Sequence, residues 1–437
     1  IRMMSEVLAI NPGVYDFSAY DLWLKPYGFL HILSVLKNRG IKVKFIDVLD
    51  RFHPQLKHFI NKPLKTTPYG CGKFYECKVP KPEKLKFIPR HYRRYGLPPE
   101  LIVKELKECQ PEVILVTSGM SYWYLGVKEL IEILKTTFPD IPIILGGTYP
   151  SLCPQHAQSL GADFIIKSTE MEKFCKLLKE FVKMEITPQE IYKISPDYSV
   201  YLRLPYVVIR TSWGCVFNCT YCGIKFIHPE YKERDISLVI KEIEFFYRKG
   251  ITNFAFYDDA LLYNSRRIKY FLKILAEKNI SVNFHTPNGL HARFIDEELA
   301  QLMHNARFIN PRLSLESAGE EFQHKTGGKV FLSDFEKAIY NLRKAGYRDW
   351  EYSAYLLIGL PDENLDMVKT SIEYVKKLKA KPLLAEYAPI PGTEIAKRIK
   401  YDLSEPLYHN NSIFPAYSPG EWKYLQKLKD LARKFPD

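Results

Sequence analysis

Apolar positions in the first third of the chain fall into two kinds of block. Residues 7–10, 41–46, 113–116, 141–145 and 162–166 are short apolar or alternating runs of strand length. Between them, residues 29–38, 101–108, 127–136 and 171–182 carry apolar side chains at helical spacing. Asn11-Pro12-Gly13 breaks the first strand, and Gly40 stands where the first helix should stop. Strand–helix alternation of this length predicts an N-terminal doubly wound, Rossmann-like parallel sheet. Such sheets bind ligands beyond the carboxyl ends of their strands. Residues 11–17, 117–123 and 146–153 are therefore the expected walls of a site.

Residues 61–99 interrupt this order with seven prolines, a Gly70-Cys71-Gly72 turn and a basic, aromatic run from Arg90 to Tyr95. A long non-periodic insertion in a compact domain is more often functional than idle; a surface wrap over a groove is the plainer reading. Residues 183–205 read as a linker. A second α/β series follows, with strands expected over 206–210, 253–257, 282–285, 312–315, 352–358 and 383–387. Asp235 and Asp296 are placed to cap two of the intervening helices, and Ser333 with Glu336 to form a capping box on a third. Six strand–helix units predict a partial (β/α)6 barrel with its chemistry on the loops after the strands. The tail adds a basic helix over 421–433, expected to cover one end of the barrel. The α/β chain thus divides into domains over 1–195 and 205–395 and an extension over 396–437.

The 437 residues are 46% hydrophobic, which excludes general disorder. The formal charge of +13 favours anionic partners, although dispersed Lys and Arg are usually a solvated face. No run reaches the roughly 18 apolar residues of a membrane span. The start, Ile1-Arg2-Met3-Met4, lacks the pattern of a secretory signal. A cytoplasmic location is expected. Eight cysteines in so long a chain do not make a disulfide scaffold, and three of them fall within eight positions.

Those three, in Cys215-Val-Phe-Asn-Cys219-Thr-Tyr-Cys222, carry the strongest chemical signal. Thiolates bind soft metals and iron–sulfur clusters. Three cysteines cannot close a tetrahedral zinc site alone, but they can hold three irons of a [4Fe-4S] cluster and leave the fourth open. A zinc site completed by a remote group such as His228 is the alternative. With Tyr221 before the third cysteine, the CxxxCxxC pattern resembles the radical S-adenosylmethionine (radical SAM) superfamily, over residues 205–395. The resemblance implies an open iron that chelates SAM. It also implies one-electron cleavage to a 5′-deoxyadenosyl radical, with the electron supplied by a donor such as flavodoxin or ferredoxin.

The resemblance also assigns further positions. Asp258 and Asp259 stand where the superfamily meets the SAM amino group, usually with a Gly-Gly-Glu-like motif; read alone, they suit a helix cap. Ser314 and Glu316 match positions near the ribose and the polar end of SAM. Asn288 is placed to reach the site, and Arg293 to neutralise the carboxylate or cap the rim. Gly359 lies in the adenine-packing segment 357–361. Glu386 is either a substrate-facing acid or a salt-bridge partner.

The first domain resembles the cobalamin-binding domain found ahead of many radical SAM barrels. Its Thr117-Ser118-Gly119 and Gly146-Gly147-Thr148 segments carry the likeness. The Asp-x-His-x-x-Gly motif that supplies a lower cobalt ligand is absent, and His53 lies too far along to replace it. Cobalamin would then bind without a histidine, with Ser118, Tyr122 or Trp123 near its lower face. A cobalamin-like fold turned to substrate binding is the alternative. Cys71 and Cys77 are candidates for thiol chemistry or plain structural residues. The leading expectation is a cobalamin-dependent radical SAM methyltransferase on a small, anionic substrate. The others are a radical SAM oxidoreductase, cyclase or rearrangement enzyme, and a metal- or redox-sensing protein. Nucleic acid is not an expected partner, because no nucleic-acid module accompanies the 90–95 run.

Overall fold

Strands Glu6–Asn11 (β1), Lys42–Asp47 (β2), Val113–Val116 (β3), Ile143–Leu145 (β4) and Phe164–Ile165 (β5) form one parallel sheet in the order β5-β4-β3-β1-β2. This computed structural model describes residues 6–361, 363–413 and 419–435. The amino-terminal residues behind the expectation on secretion lie outside them. Val7–Ile10 are fully buried, which explains their unbroken apolar run. Helices Tyr27–Asn38 (α1), Pro99–Leu106 (α2), Tyr124–Thr137 (α3) and Met171–Val182 (α4) complete a Rossmann-like wind. The strand order reverses between β1 and β3, the switch point at which such sheets bind ligands.

The 61–99 insertion is ordered against this sheet's loops. Val14–Asp16 pairs antiparallel with Arg93–Tyr95, which pairs in turn with Glu76–Lys78. Buried Arg51 holds the insertion by an ion pair to Asp21 (2.9 Å) and a hydrogen bond to the Gly70 carbonyl (2.7 Å). Tyr92, Arg94 and Tyr95 are buried, and Arg94 pairs with Glu129 at 2.8 Å. The basic, aromatic run therefore packs the domain instead of offering a stacking face. Residues 183–205 are also more than a linker. Thr187 and Glu190 form a capping box on the helix Pro188–Lys193, and the buried Tyr201 hydroxyl donates to Asp47 at 2.7 Å.

The chain divides into two units. The first runs to Pro205 and takes in Leu403–Asn410; the second runs from Tyr206 to Asp402 and resumes at Asn411. The residues after 396 thus contribute to both units and do not stand as a separate body. In the first unit, Asn410 donates to the buried Asp16 carboxylate (2.9 Å), and His409 bonds Ser121 (2.8 Å).

The second unit is a parallel strand–helix series. Val207–Ile209 (β6), Asn253–Phe256 (β7) and Asn283–His285 (β8) form one sheet; Leu290–His291 (β9), Arg312–Glu316 (β10), Ser353–Ile358 (β11) and Lys381–Glu386 (β12) form the next. A bridge between Phe284 and Phe308 links them into a partial barrel. Helices Ile236–Arg248 (α5), Ser265–Glu277 (α6), Glu297–Asn305 (α7), Leu332–Lys344 (α8) and Leu365–Lys377 (α9) alternate with the strands. Asp235 and Asp296 cap α5 and α7 as their spacing predicts. The expected Ser333/Glu336 box does not form. The Asp334 carboxylate takes the Phe331 amide (3.1 Å) and starts α8 earlier, while Glu336 accepts from Tyr374. Trp422–Arg433 (α10) lies against β12 and α9: Lys429 pairs with Glu386, and Lys376 donates to the Leu431 carbonyl. Among the described residues no helix is long and apolar enough to cross a membrane.

Candidate functional site

The cysteine loop follows β6 and is anchored before it begins. Asp258, just after β7, is buried and accepts from the Thr211 amide (3.0 Å) and hydroxyl (2.6 Å) and from the Ser212 amide (2.7 Å) and hydroxyl (2.8 Å). Its Oδ1 is taken up by the loop's lead-in, so the carboxylate braces that segment and caps no helix. Its neighbour Asp259 accepts from the Gly214 amide (3.0 Å) and pairs with Arg210 (3.3 Å). Burial pushes the Asp259 carboxyl up, against the pull of Arg210. Gly214 has φ of 73°, and a Cβ there would lie 2.3 Å from the Glu230 carbonyl. Only glycine lets the chain turn into Cys215 at this point.

Cys215 is buried, and Cys219 and Cys222 are partly so. Burial raises all three thiols, Cys222 to about 11, with the nearby Lys329 charge opposing. The Cys222 amide donates back to the Cys219 carbonyl at 3.0 Å. Among the described residues no three His, Cys, Asp or Glu side chains stand ready-made as a metal-holding set. The donor chemistry nevertheless fits a cluster: three soft sulfurs on one loop, with Cys215 and Cys219 both acting on Cys222, and able to shed protons when metal binds.

Lys329, which sequence reasoning passed over, lies above this loop. Its ammonium pairs with Glu316 and donates to the Tyr221 hydroxyl at 3.3 Å. Lys329 and the Tyr221 hydroxyl both oppose the burial that raises the Cys219 thiol. Glu316 ends β10 with φ of 69°, where the register against β11 slips. A bulge of this kind re-aims a side chain, and strain in a non-glycine residue concentrates at functional sites. The only sequence signal for Lys329 is its place after Gly327-Gly328.

The other barrel candidates separate by their engagements. Asn288 is exposed and donates to the Tyr257 and Asp258 carbonyls, bracing the end of β7. Ser314 is buried and stands in register with His291. His291 stacks on Phe217 of the cysteine loop at 4.9 Å, and burial holds its imidazole down at about 3. Arg293 lies between the Phe217 and Phe331 rings and donates to the Gly328 carbonyl at 3.3 Å, so it supports the segment carrying Lys329. Gly359, with φ of 90°, receives Glu363 on its amide at 2.9 Å. Glu386 is taken by Lys429, which answers its two readings in favour of the ion pair. His228 is half-buried and, held down at about 3 by desolvation and the charge of Arg210, is neutral.

In the first unit the loops after β3 and β4 meet at the sheet's carboxyl edge. The Ser118 hydroxyl donates to the Gly146 carbonyl at 2.9 Å, and a Cβ on Gly147 would lie 2.4 Å from the Ser118 carbonyl. Gly146 faces open space: a Cβ there would meet only the Ile166 carbonyl, at 3.7 Å. Tyr122 is buried, and the Trp123 indole donates to Asp16 at 2.7 Å. His53 accepts from the Gln55 amide through Nδ1 and faces Glu105 at 3.6 Å, an arrangement unlike that of a lower cobalt ligand. An open glycine edge without a presented His53 fits cobalamin held without a histidine. Cys71, Cys109, Cys153 and Cys175 are buried and Cys77 is exposed; burial pushes Cys153 up to about 12 and Cys175 to about 11. Thiols so raised are poor nucleophiles.

Residues 209–375 match the family model of the Radical SAM superfamily, and residues 91–178 match that of the B12 binding domain. An uncharacterized methyltransferase of Pyrococcus horikoshii is 22% identical over 67% of this chain and 70% of its own length. The threonylcarbamoyladenosine tRNA methylthiotransferase of Thermotoga maritima is 20% identical over 62% of this chain and 64% of its own length. The cytidylyl-2-hydroxyethylphosphonate methyltransferase of Streptomyces wedmorensis is 21% identical over 99% of this chain and 90% of its own. In fold, the radical SAM methyltransferase TsrM of Kitasatospora setae superposes with a TM-score of 0.70 at 15% identity, covering 98% of this chain and 88% of that one. The cobalamin-dependent radical enzyme OxsB gives 0.59 at 15% identity over 94% and 56%. The three-cysteine loop at the mouth of a parallel partial barrel, preceded by a doubly wound sheet, makes this chain a radical SAM superfamily enzyme with a cobalamin-binding-like domain ahead of its barrel.

Proposed function

We propose that the chain is a cobalamin-dependent methyltransferase acting on a small molecule, in which Cys215, Cys219 and Cys222 hold a [4Fe-4S] cluster. The observation that carries this reading is that both units match together, over 99% of the chain, a protein named as a methyltransferase. When bound, the cluster supplies the electron that cleaves SAM, and cobalamin carries the methyl group. The chain's own residues supply the frame. Asp258 clamps the lead-in, Gly214 permits the turn, and Lys329 with Tyr221 places positive charge and a hydroxyl beside the thiols. Ser314, Asn288 and the Gly359 backbone lie on the loops and strands around the barrel mouth, where SAM would be gripped. In the first unit the open edge at Gly146, beside Ser118, would receive the corrin without a histidine below it. The free thiols suit the cytoplasm, where a flavodoxin- or ferredoxin-type donor would supply electrons.

Anaerobic reconstitution with iron, sulfide and hydroxocobalamin tests this. Roughly four irons per chain and a corrin spectrum that co-elutes with the protein are expected. Addition of SAM and reductant should yield S-adenosylhomocysteine or 5′-deoxyadenosine, and Cys219→Ala should lose both cluster and products. A protein that takes up its full iron but no corrin refutes the cobalamin-dependent reading. Turnover retained in Cys219→Ala refutes the cluster assignment.

A further inference from the structure

The tail returns to the first unit through Leu403–Asn410 and grips two loops there. One follows β1 and the other follows β3, the strands between which the order of the sheet reverses. On the β3 side, His409 is buried with both ring nitrogens engaged, Nε2 on the Leu403 carbonyl (2.9 Å) and Nδ1 on the Ser121 hydroxyl (2.8 Å). Burial keeps the ring neutral. A carbonyl only accepts, so Nε2 carries the hydrogen and Nδ1 receives the hydroxyl. Glu405 takes the Tyr124 hydroxyl at 3.2 Å and the Lys84 ammonium at 2.5 Å. On the β1 side, the buried Asn410 amide donates to Asp16 Oδ1 at 2.9 Å. The Phe17 amide shares that oxygen at 2.6 Å, and the Trp123 indole donates to Oδ2 at 2.7 Å. One buried carboxylate thus joins the tail, the loop after β1 and the loop after β3. Trp123 carries the connection to the open glycine edge. Its ring lies so close to Gly119 that a Cβ there would stand 3.2 Å from Cε3, and the adjacent Ser118 hydroxyl holds the Gly146 carbonyl at 2.9 Å.

We propose that Leu403–Asn410 is a strap that pre-organises the ligand edge of the first unit, with Asn410 as a positioning residue acting through Asp16 and Trp123. This rests on the reading that the edge receives cobalamin. A doubly wound sheet binds its ligand in the crevice between the loops on either side of the switch point. Such loops belong to the less stable parts of a fold and open locally. A ligand's apparent affinity falls with the fraction of chains in the competent arrangement. Hydrogen bonds to an ionised carboxylate are stronger than neutral ones, so the Asp16 node raises that fraction. His409 fixes the strap to Ser121, two residues before Trp123, and keeps Asn410 in reach of Asp16.

The test uses the full chain, reconstituted with iron and sulfide, as wild type, Asn410→Ala, Trp123→Phe and the double variant. Each is dialysed anaerobically against hydroxocobalamin, and bound corrin is read by absorbance. Asn410→Ala and Trp123→Phe should each weaken binding by about tenfold. The double variant should lose no more than about threefold beyond Trp123→Phe alone, because the path from Asn410 is already cut at the ring. Losses that multiply in the double variant, or an unchanged affinity in Asn410→Ala, overturn the proposal. In the corrin-free chain, amide exchange over 117–124 should quicken in Asn410→Ala; unchanged exchange there overturns it as well. If Asn410→Ala folds poorly, Asp16→Asn repeats the cycle, since in either orientation its amide turns a donor toward one of the arms. A wild-type chain that takes up its iron but no corrin refutes the cobalamin reading instead, and the exchange comparison still decides for or against the strap.

Discussion

Removing the Asp258 carboxylate should release the cysteine loop while leaving the barrel folded. Asp258→Ala deletes the acceptor of two hydroxyls and two backbone amides, at 2.6–3.0 Å, in a place where Thr211 and Ser212 are fully buried. The hydroxyls can rotate toward other partners. The two amides are fixed, and each buried orphan amide costs about 1–3 kcal/mol. Losing one side of a buried charged network costs about 3–5 kcal/mol, so that range is expected for the local opening free energy. At about 1.4 kcal/mol per tenfold, amide exchange in residues 207–215 should quicken by more than about a hundredfold. Asp258→Asn should cost far less, because Oδ1 alone receives all four groups and Oδ2 adds only a second contact to the Thr211 amide. The assay is hydrogen exchange with peptide-level mass analysis of the metal-free chain, alongside iron uptake. Exchange in 207–215 that is unchanged in Asp258→Ala, or equally fast in Asp258→Asn, would refute the clamp.

Three further outcomes are expected. His285 is buried and donates from Nε2 to the Asn253 Oδ1 at 3.1 Å, and burial first, then Arg312, holds its pKa at about 4 against an ordinary 6.5. The unfolded chain therefore takes the proton first as pH falls. Its contribution is whole above about pH 6.5 and is lost toward pH 4, at up to about 1.4 kcal/mol per pH unit and about 3 kcal/mol in all. Urea unfolding across that window should lose one proton of slope in His285→Asn, and an unchanged slope would sink the assignment. Gly327→Ala places a Cβ 3.1 Å from the Cys219 Cα at a φ of 114°, a strain of about 1–3 kcal/mol; iron bound per chain should drop while far-UV circular dichroism is kept. Arg51→Met breaks the buried pair with Asp21 at a cost of about 3–5 kcal/mol, and limited trypsin digestion should then cut first at Lys62, Lys65 or Lys73.

Much of the fold was legible because strand blocks and helical spacing are local. The run over 113–116 coincides with β3, and the caps at Asp235 and Asp296 sit where their side chains reach the amides of the first turn. The capping box at Ser333 failed for an equally local reason, since the carboxylate at Asp334 is the stronger acceptor and captured the Phe331 amide. The 90–95 run was misleading. Charge and aromaticity read as a surface, yet Arg94 finds Glu129 from α3 and goes inside with Tyr92 and Tyr95. No pattern within six residues can report a partner thirty-five positions away.

By itself the sequence determined the strand–helix order of both halves and the position of the three thiols, because periodicity and a short motif spacing are written along the chain. Only the tertiary structure decided which charged groups serve the loop and which serve the frame. Asp258 became a clamp, Glu386 the partner of a tail lysine, and Lys329 the cation on the Tyr221 hydroxyl. A carboxylate or ammonium is committed by whichever donor or acceptor the fold brings within about 3 Å, and that distance is settled by strands and loops far apart in sequence.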